Sequence, residues 1–280
     1  MPGLFKPFHY SHPCIYPYIC KMLNKAELRT IDVTRYLAPL REGGSLPAIA
    51  EGNDGFLYVL KFRGAGQGIK ALIAEVLGGE LARLAGLKIP EIVFANLDEA
   101  FGRTEPDEEI QDLLKASTGM NLAIHYLSGS VSFDAAVTQP DPQLASKIVW
   151  LDALIFNVDR TARNTNMLLW NKELWLIDHG AAFYFHHSWE GREAYIEKPF
   201  VQIKDHVLLP FATDMTGADE YMKSIFTPAA VADIVQLLPD AWLGWDDALQ
   251  PQQVRNAYID FLNRRIAQSS IFVKQIQDAK

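Results

Sequence analysis

The stretch from Asn157 to Asp178 constrains the fold more than any other part of the chain. It begins with a polar run, Asn157-Val158-Asp159-Arg160-Thr161-Ala162-Arg163-Asn164. Met167-Leu168-Leu169-Trp170, Asn171-Lys172 and Glu173-Leu174-Trp175-Leu176-Ile177-Asp178 follow. Apolar and aromatic residues on both sides of a short polar pair read as a hairpin with a tight turn. A hairpin returns the chain to its starting point, so Asp178 comes back beside Asp159 and Asn164. Two carboxylates and a carboxamide at one spot suit Mg²⁺ and a phosphoryl group, because a hard cation takes oxygen ligands. The structural alternative is an Asx-rich turn between a helix and a hairpin.

Residues 142 to 156 carry Leu144, Ile148, Val149, Leu151, Leu154 and Ile155, which predicts a buried helix delivering Asn157 and Asp159. Asp152 on that helix is either a partner of the loop or helix-side polarity. Arg160 and Arg163 either stabilise developing charge or hold the loop through ion pairs. His179, next to Asp178, reads as a structural histidine with a phosphate contact as the alternative, and His186, His187 and His206 have no recognised metal spacing.

The first half supplies the groups that would face a nucleotide. Gly43-Gly44-Ser45 precedes a strand at 46–50; on its own it reads as a plain loop, while glycines there would also let backbone N–H groups approach phosphate oxygens. A turn at 51–55 leads to a second strand at 56–62. Lys61 lies inside that strand, where its charge is costly without a partner. The next element, 70–84, has Ile73, Val76, Leu77, Leu81 and Leu84 at helical spacing, although Gly78-Gly79 should weaken it by about 1 kcal/mol each. Glu75 on this helix is the partner for Lys61, with Glu80 as the fallback. Residues 63–68 read as a flexible connection, since they lack the Gly-Lys-Ser/Thr ending of a phosphate-binding loop.

Further strands are expected at 89–97 and 121–127, with Arg103 to Glu109 the most loop-like charged stretch between them. Ser128-Gly129-Ser130 then marks a hinge, and an adenine edge would meet backbone at Ile124, His125 and Tyr126. A helix starts at Thr227-Pro228 and runs through Leu238, and 252–279 is helical scaffold. The sum is an α+β, bilobal fold with a small β-rich N-lobe carrying one main helix. Its C-lobe is mostly helical and carries the hairpin. The expected division is a peripheral or disordered arm at 1–21, an N-lobe at 22–127 and a C-lobe at 128–280.

Composition narrows the setting. At 280 residues and 49% apolar content the chain can bury a core, and its net charge of −8 argues against nucleic acid as a partner. No run of 18 uncharged apolar residues offers a membrane span. Cys14 and Cys20 are the only cysteines, which fits a reducing cytoplasm. Their spacing with His9 and His12 is not a usual zinc pattern.

The assembled residues resemble the HipA-like kinases, whose fold is of the protein-kinase and phosphoinositide-kinase type. The resemblance covers most of 41–180 and rests on several groups in order. These are Gly43-Gly44-Ser45, Leu60-Lys61, Glu75 with Leu81-Ala82 and Gly86, Asp159-Arg160 with Asn164, and Asp178. It implies ATP and Mg²⁺ as cofactors and Gly43-Gly44-Ser45 as the phosphate loop. Lys61 would be the ATP-binding lysine with Glu75 as its partner, Asp159 the catalytic aspartate, and Asn164 and Asp178 the metal ligands. The acceptor would be a hydroxyl of a small molecule or of a protein, then of serine/threonine type.

Thr161 stands where toxin members carry histidine, and Ile177-Asp178-His179-Gly180 departs from the family's usual ending. The extra N-terminal subdomain of full-length toxin kinases is not recognisable. An antitoxin-type partner is therefore the part of the resemblance that carries over least. A nucleotide-binding pseudokinase or regulatory module and a kinase-like AMP transferase are the competing readings.

Overall fold

Alternation of inward and outward side chains builds the N-terminal half. The computed structural model describes residues 27–40, 46–66, 68–103, 106–245 and 249–279. The arm at 1–21, with both cysteines, His9 and His12, and the Gly43-Gly44-Ser45 loop lie outside them.

Strands β1 (Thr30–Pro39), β2 (Ala48–Gly52), β3 (Leu57–Lys61), β4 (Ile92–Leu97) and β5 (Gly119–His125) run in the order β1-β2-β3-β5-β4. Parallel pairing of Thr30, Ile31 and Asp32 with Phe94, Ala95 and Asn96 closes them into a barrel. Closure leaves no open sheet edge. Ile31, Val33, Ala50, Tyr58, Leu60, Val93 and Ala95 fill the interior. Small residues at 48, 50, 95 and 123 let five strands close around so little space.

Helix α1 (Gly68–Leu84) is buried almost all round between Leu72 and Ala82, because the barrel covers one side and the C-terminal half the other. This explains Gly78-Gly79. A Cβ on Gly78 would lie 2.7 Å from the Cβ of His179, and one on Gly79 would run into Ile92 Cδ1. Both glycines give up helix propensity in exchange for close approach. The connection at 63–66 is also less free than its composition suggests. Arg63 N–H donates to Asn121 Oδ1 at 2.9 Å and Gly64 N–H to Ser117 Oγ at 3.2 Å. Helix α2 (Glu108–Ala116) begins inside the stretch expected to be loop, capped by Asp107, which accepts from the N–H groups of Glu109 and Ile110.

In the C-terminal half, α3 (Pro142–Ile155) starts at the Asp141 cap with proline at its first turn and ends at Phe156 in a left-handed conformation. The hairpin is β7 (Met167–Trp170) and β8 (Glu173–Leu176), with β6 (Val131–Ser132) as a third strand. Asn171 and Lys172 both take positive φ, the geometry a two-residue turn requires.

A single turn α4 (Glu193–Ile196) precedes α5 (Met215–Ile225), α6 (Pro228–Val235), α7 (Pro251–Ala267) and α8 (Ser270–Asp278). The helix expected through Leu238 thus stops at Val235, and the C-terminal helical region divides at Gln268-Ser269. Leu72, Val76 and Leu77 of α1 share one core with Leu151 and Leu154 of α3 and with Tyr258 and Phe261 of α7. That shared core fixes α1 against the hairpin side of the molecule.

Candidate active site

Lys61 is the last residue of β3, and its side chain is 13% exposed. Its ammonium donates to Glu75 Oε2 at 2.8 Å and to Asp178 Oδ1 at 2.7 Å. Burial works against its charge, but Glu75 and Asp178 outweigh that, and its pKa lies above the ordinary lysine value. Burial pushes the Glu75 carboxyl up, opposed by Lys61. Lys61 holds the Asp178 carboxyl below the usual range. Glu80, the fallback, pairs instead with Arg83 one turn on.

Asp178 follows β8 with φ +55, a conformation that short polar side chains tolerate best. Two contacts seat the segment: the backbone N–H of His179 donates to Glu75, and the His179 side chain packs on Gly78. Consecutive turns of α1 therefore hold the residue pair that carries Asp178. Gly78→Ala is expected to destabilise the fold by about 2 kcal/mol through overpacking against His179. Urea unfolding of the variant checks it, and an unchanged stability contradicts this account.

Asp159 lies in the loop that α3 delivers. Its Oδ2 accepts from Asn164 Nδ2 at 2.8 Å and from Asn166 Nδ2 at 3.2 Å. Beneath the loop, Asp152 is fully buried and accepts three hydrogen bonds. They come from Asn157 Nδ2 at 2.9 Å, Arg160 Nε at 2.6 Å and His206 Nε2 at 2.9 Å. His206 Nδ1 accepts the N–H of Leu208, so the proton sits on Nε2, facing Asp152. Burial alone would raise the Asp152 carboxyl, but Arg160 and then His206 hold it far below its ordinary value.

Arg160 goes on to donate through Nη1 to the Asn166 carbonyl at 2.5 Å, and its Nη2 meets His179 Nε2 at 3.2 Å. A guanidinium only donates, so His179 accepts there and carries its proton on Nδ1. Burial and then Arg160 push the His179 pKa down to about 3.

His186 is a second buried neutral histidine, held well below its ordinary value by burial and then by His187. Both folded pKa values are depressed, so the full stability is present above the unfolded value near 6.5. It is lost as pH falls, because the unfolded chain takes up protons that the folded one refuses. His179 alone predicts a loss of about 2 kcal/mol between pH 7 and pH 5. Urea unfolding at the two pH values measures it; equal stabilities would contradict buried neutral histidines.

An open cleft is lined by Lys61, Phe62, Ala65, Gly68, Ala71, Leu72, Asp178 and Gly180. It joins the strand lysine, the start of α1 and the aspartate after the hairpin. Among the described residues no group of three His, Cys, Asp or Glu is placed to hold a metal ion, so a zinc-type cage is not built.

The family model for HipA-like kinases matches residues 33–273, most of the chain. The chain belongs to the HipA-like kinase family. Among solved structures, this HipA-like kinase is similar to the Helicobacter pylori proinflammatory kinase CtkA. The TM-score is 0.51 at 13% identity, over 89% of this chain and 98% of that one. That likeness bears on fold. Two structures of the Golgi casein kinase, one with Mn/ADP bound, give TM-scores of 0.47 and 0.45 at 11% and 12% identity. They cover 91% and 92% of this chain and 75% and 74% of theirs. No curated protein sequence matches it.

The structure thus joins Lys61, Glu75 and Asp178 through one ammonium, and Asp159 to Asn164 through a hydrogen bond from the Asn164 amide. Arg160 and His179 prove to be buried members of the scaffold, while Arg163 is exposed. Two residues of this kinase escaped sequence reasoning. His206 lies far along the chain from Asp152 and carries no local signal. Asn166 does carry one, an asparagine just before a strand, but it sat in the shadow of Asn164.

Proposed function

We propose that this HipA-like kinase transfers the γ-phosphoryl group of ATP to a hydroxyl of an acceptor, with Mg²⁺ at Asp178 and Asn164. The observation that carries the reading is Lys61, bonded at once to a helix glutamate and to the aspartate beyond the hairpin. A phosphate-binding lysine needs that arrangement, because Glu75 orients it while Asp178 remains able to turn to a metal.

The donor set fits Mg²⁺. Asp178 is half-exposed, and Asn164 gives its amide nitrogen to Asp159, leaving its side-chain oxygen for a cation. Two protein oxygens are enough for an ion that keeps several waters and shares phosphate oxygens. MgATP, when bound, supplies the transferable phosphoryl group. Asp159 then orients the acceptor hydroxyl and takes its proton, its other carboxylate oxygen being anchored by amides.

Gly43-Gly44-Ser45 stays in this reading as the phosphate loop between β1 and β2. The hinge reading needs one adjustment. The N–H groups of His125 and Tyr126 already donate to Glu91 and Leu57 at 2.8 Å, so they are not available to an adenine. Ile124, His125 and Tyr126 then form the wall. The N–H of Leu127, which has no partner among the described residues, takes the donor role. No helix among the described residues is long and apolar enough to cross a membrane, and a cytoplasmic site of action belongs to the same proposal.

Calorimetry with ATP and Mg²⁺ tests the metal assignment. Asp178→Ala is expected to lose magnesium-dependent ATP binding, while Asp159→Ala keeps it within about threefold, since Asp159 acts on the acceptor side. Wild-type MgATP affinity in Asp178→Ala would overturn the assignment.

A further inference from the structure

We infer that Asn166 is the positioning residue that sets the Asp159 carboxylate and ties it to the segment carrying Asp178. The inference rests on Asp159 being the group that meets the acceptor hydroxyl. Asn166 is 8% exposed and has φ +48, a backbone conformation that favours glycine and, among side chains, asparagine.

Its amide nitrogen reaches both the backbone carbonyl of Asp159, at 3.3 Å, and Asp159 Oδ2, at 3.2 Å. Its own carbonyl accepts two donors: Arg160 Nη1 at 2.5 Å and the N–H of Ile177 at 3.0 Å. Ile177 is the residue before Asp178. One buried residue therefore grips Asp159 with its side chain and the approach to Asp178 with its backbone.

Asn164 cannot do the same work. It is exposed, its backbone is held to Thr161 on both sides, and its oxygen is the one offered to the metal. With its oxygen on a cation, Asn164 would serve the metal and Asp159 through one amide group. The Asn166 amide serves Asp159 alone, through its backbone carbonyl and Oδ2. Orientation of this kind acts on the reacting geometry and leaves nucleotide affinity alone, so its loss lowers kcat with KM for MgATP unchanged.

Asn166→Gly separates the two roles, because glycine accepts the positive φ and keeps the carbonyl while removing the amide. Asn166→Asp keeps the shape and removes the donors. Both full-length variants are expected to form ADP from MgATP about 100-fold more slowly than wild type. KM for MgATP should stay within threefold, and Asn166→Gly should unfold within a few degrees of wild type. A crystal structure of Asn166→Gly should show Asp159 swung out of its 2.8 Å bond with Asn164.

An unmoved Asp159 carboxylate overturns the inference, as does a kcat within threefold in both variants. Loss of kcat together with equal losses of MgATP affinity and thermal stability also overturns it, by making Asn166 purely structural. Asp159→Asn separates the two levels. If ADP formation is indifferent to Asp159, the functional reading fails, and the crystal structure still decides the geometry.

Discussion

Lys61→Met is expected to destabilise the fold by about 3 kcal/mol and to abolish measurable nucleotide turnover. The substitution leaves Glu75, 2% exposed at its side chain, facing Asp178 with no cation between them. Removing one partner of a buried ionic cluster costs about 3–5 kcal/mol, because the remaining charge has lost its compensation. Partial exposure of Asp178 puts the value at the low end.

The variant has a pH signature of its own. Without Lys61, the Glu75 carboxyl rises further above its unfolded value, so its penalty is small at low pH and grows as pH rises through the folded pKa. Urea unfolding at pH 5.5 and pH 8 should therefore show a smaller difference from wild type at pH 5.5. A difference below about 0.5 kcal/mol at both values would show that the cluster is not an energetic unit.

Asp152→Ala is expected to be still more damaging, at about 4 kcal/mol. Arg160 and Asp152 are each 0% exposed at the side chain, so the guanidinium would be left buried without its counter-charge. Asn157 and His206 would lose their acceptors as well, each a buried polar group without a partner. Asn157 and Arg160 flank Asp159, so turnover should fall with stability. Asp152→Asn, which keeps one acceptor oxygen, should fall between.

The Asp152 carboxyl is depressed when folded. Its contribution is fully present above its ordinary value of 3.8 and is lost as pH falls below that. The difference between Asp152→Ala and wild type should hold steady from pH 8 to pH 5 and shrink in stronger acid. Guanidinium unfolding across that range measures it. A difference under about 1 kcal/mol at pH 7 would mean that Arg160 finds another partner.

Much of this site is legible in sequence because each clue is local. A lysine inside an apolar strand demands a carboxylate, and the following helix supplies Glu75 one face away. The hairpin after the Asx-rich loop does return the chain, and the N–H of Ile177, next to Asp178, meets the Asn166 carbonyl at 3.0 Å. What escaped is long-range. The alternation of Ile31 and Val33 is present, but nothing near Thr30 says that it pairs in parallel with Phe94 and closes a barrel. Gly78 looked like a weakness of its helix because propensity is a local quantity. Its use appears only when His179, a hundred residues later, packs against it. Asp152 and His206 are likewise joined across the chain, and an acid in an apolar helix does not name its partner.

Nucleotide products formed from ATP and Mg²⁺ by wild type and by Asp159→Asn give the most direct test of a phosphoryl-transfer site. The account predicts ADP and no pyrophosphate from wild type. It predicts an ADP rate at least about 100-fold lower in Asp159→Asn, with MgATP still bound at near wild-type affinity. Release of pyrophosphate, the mark of AMP transfer, would contradict it. So would equal ADP formation by the two proteins.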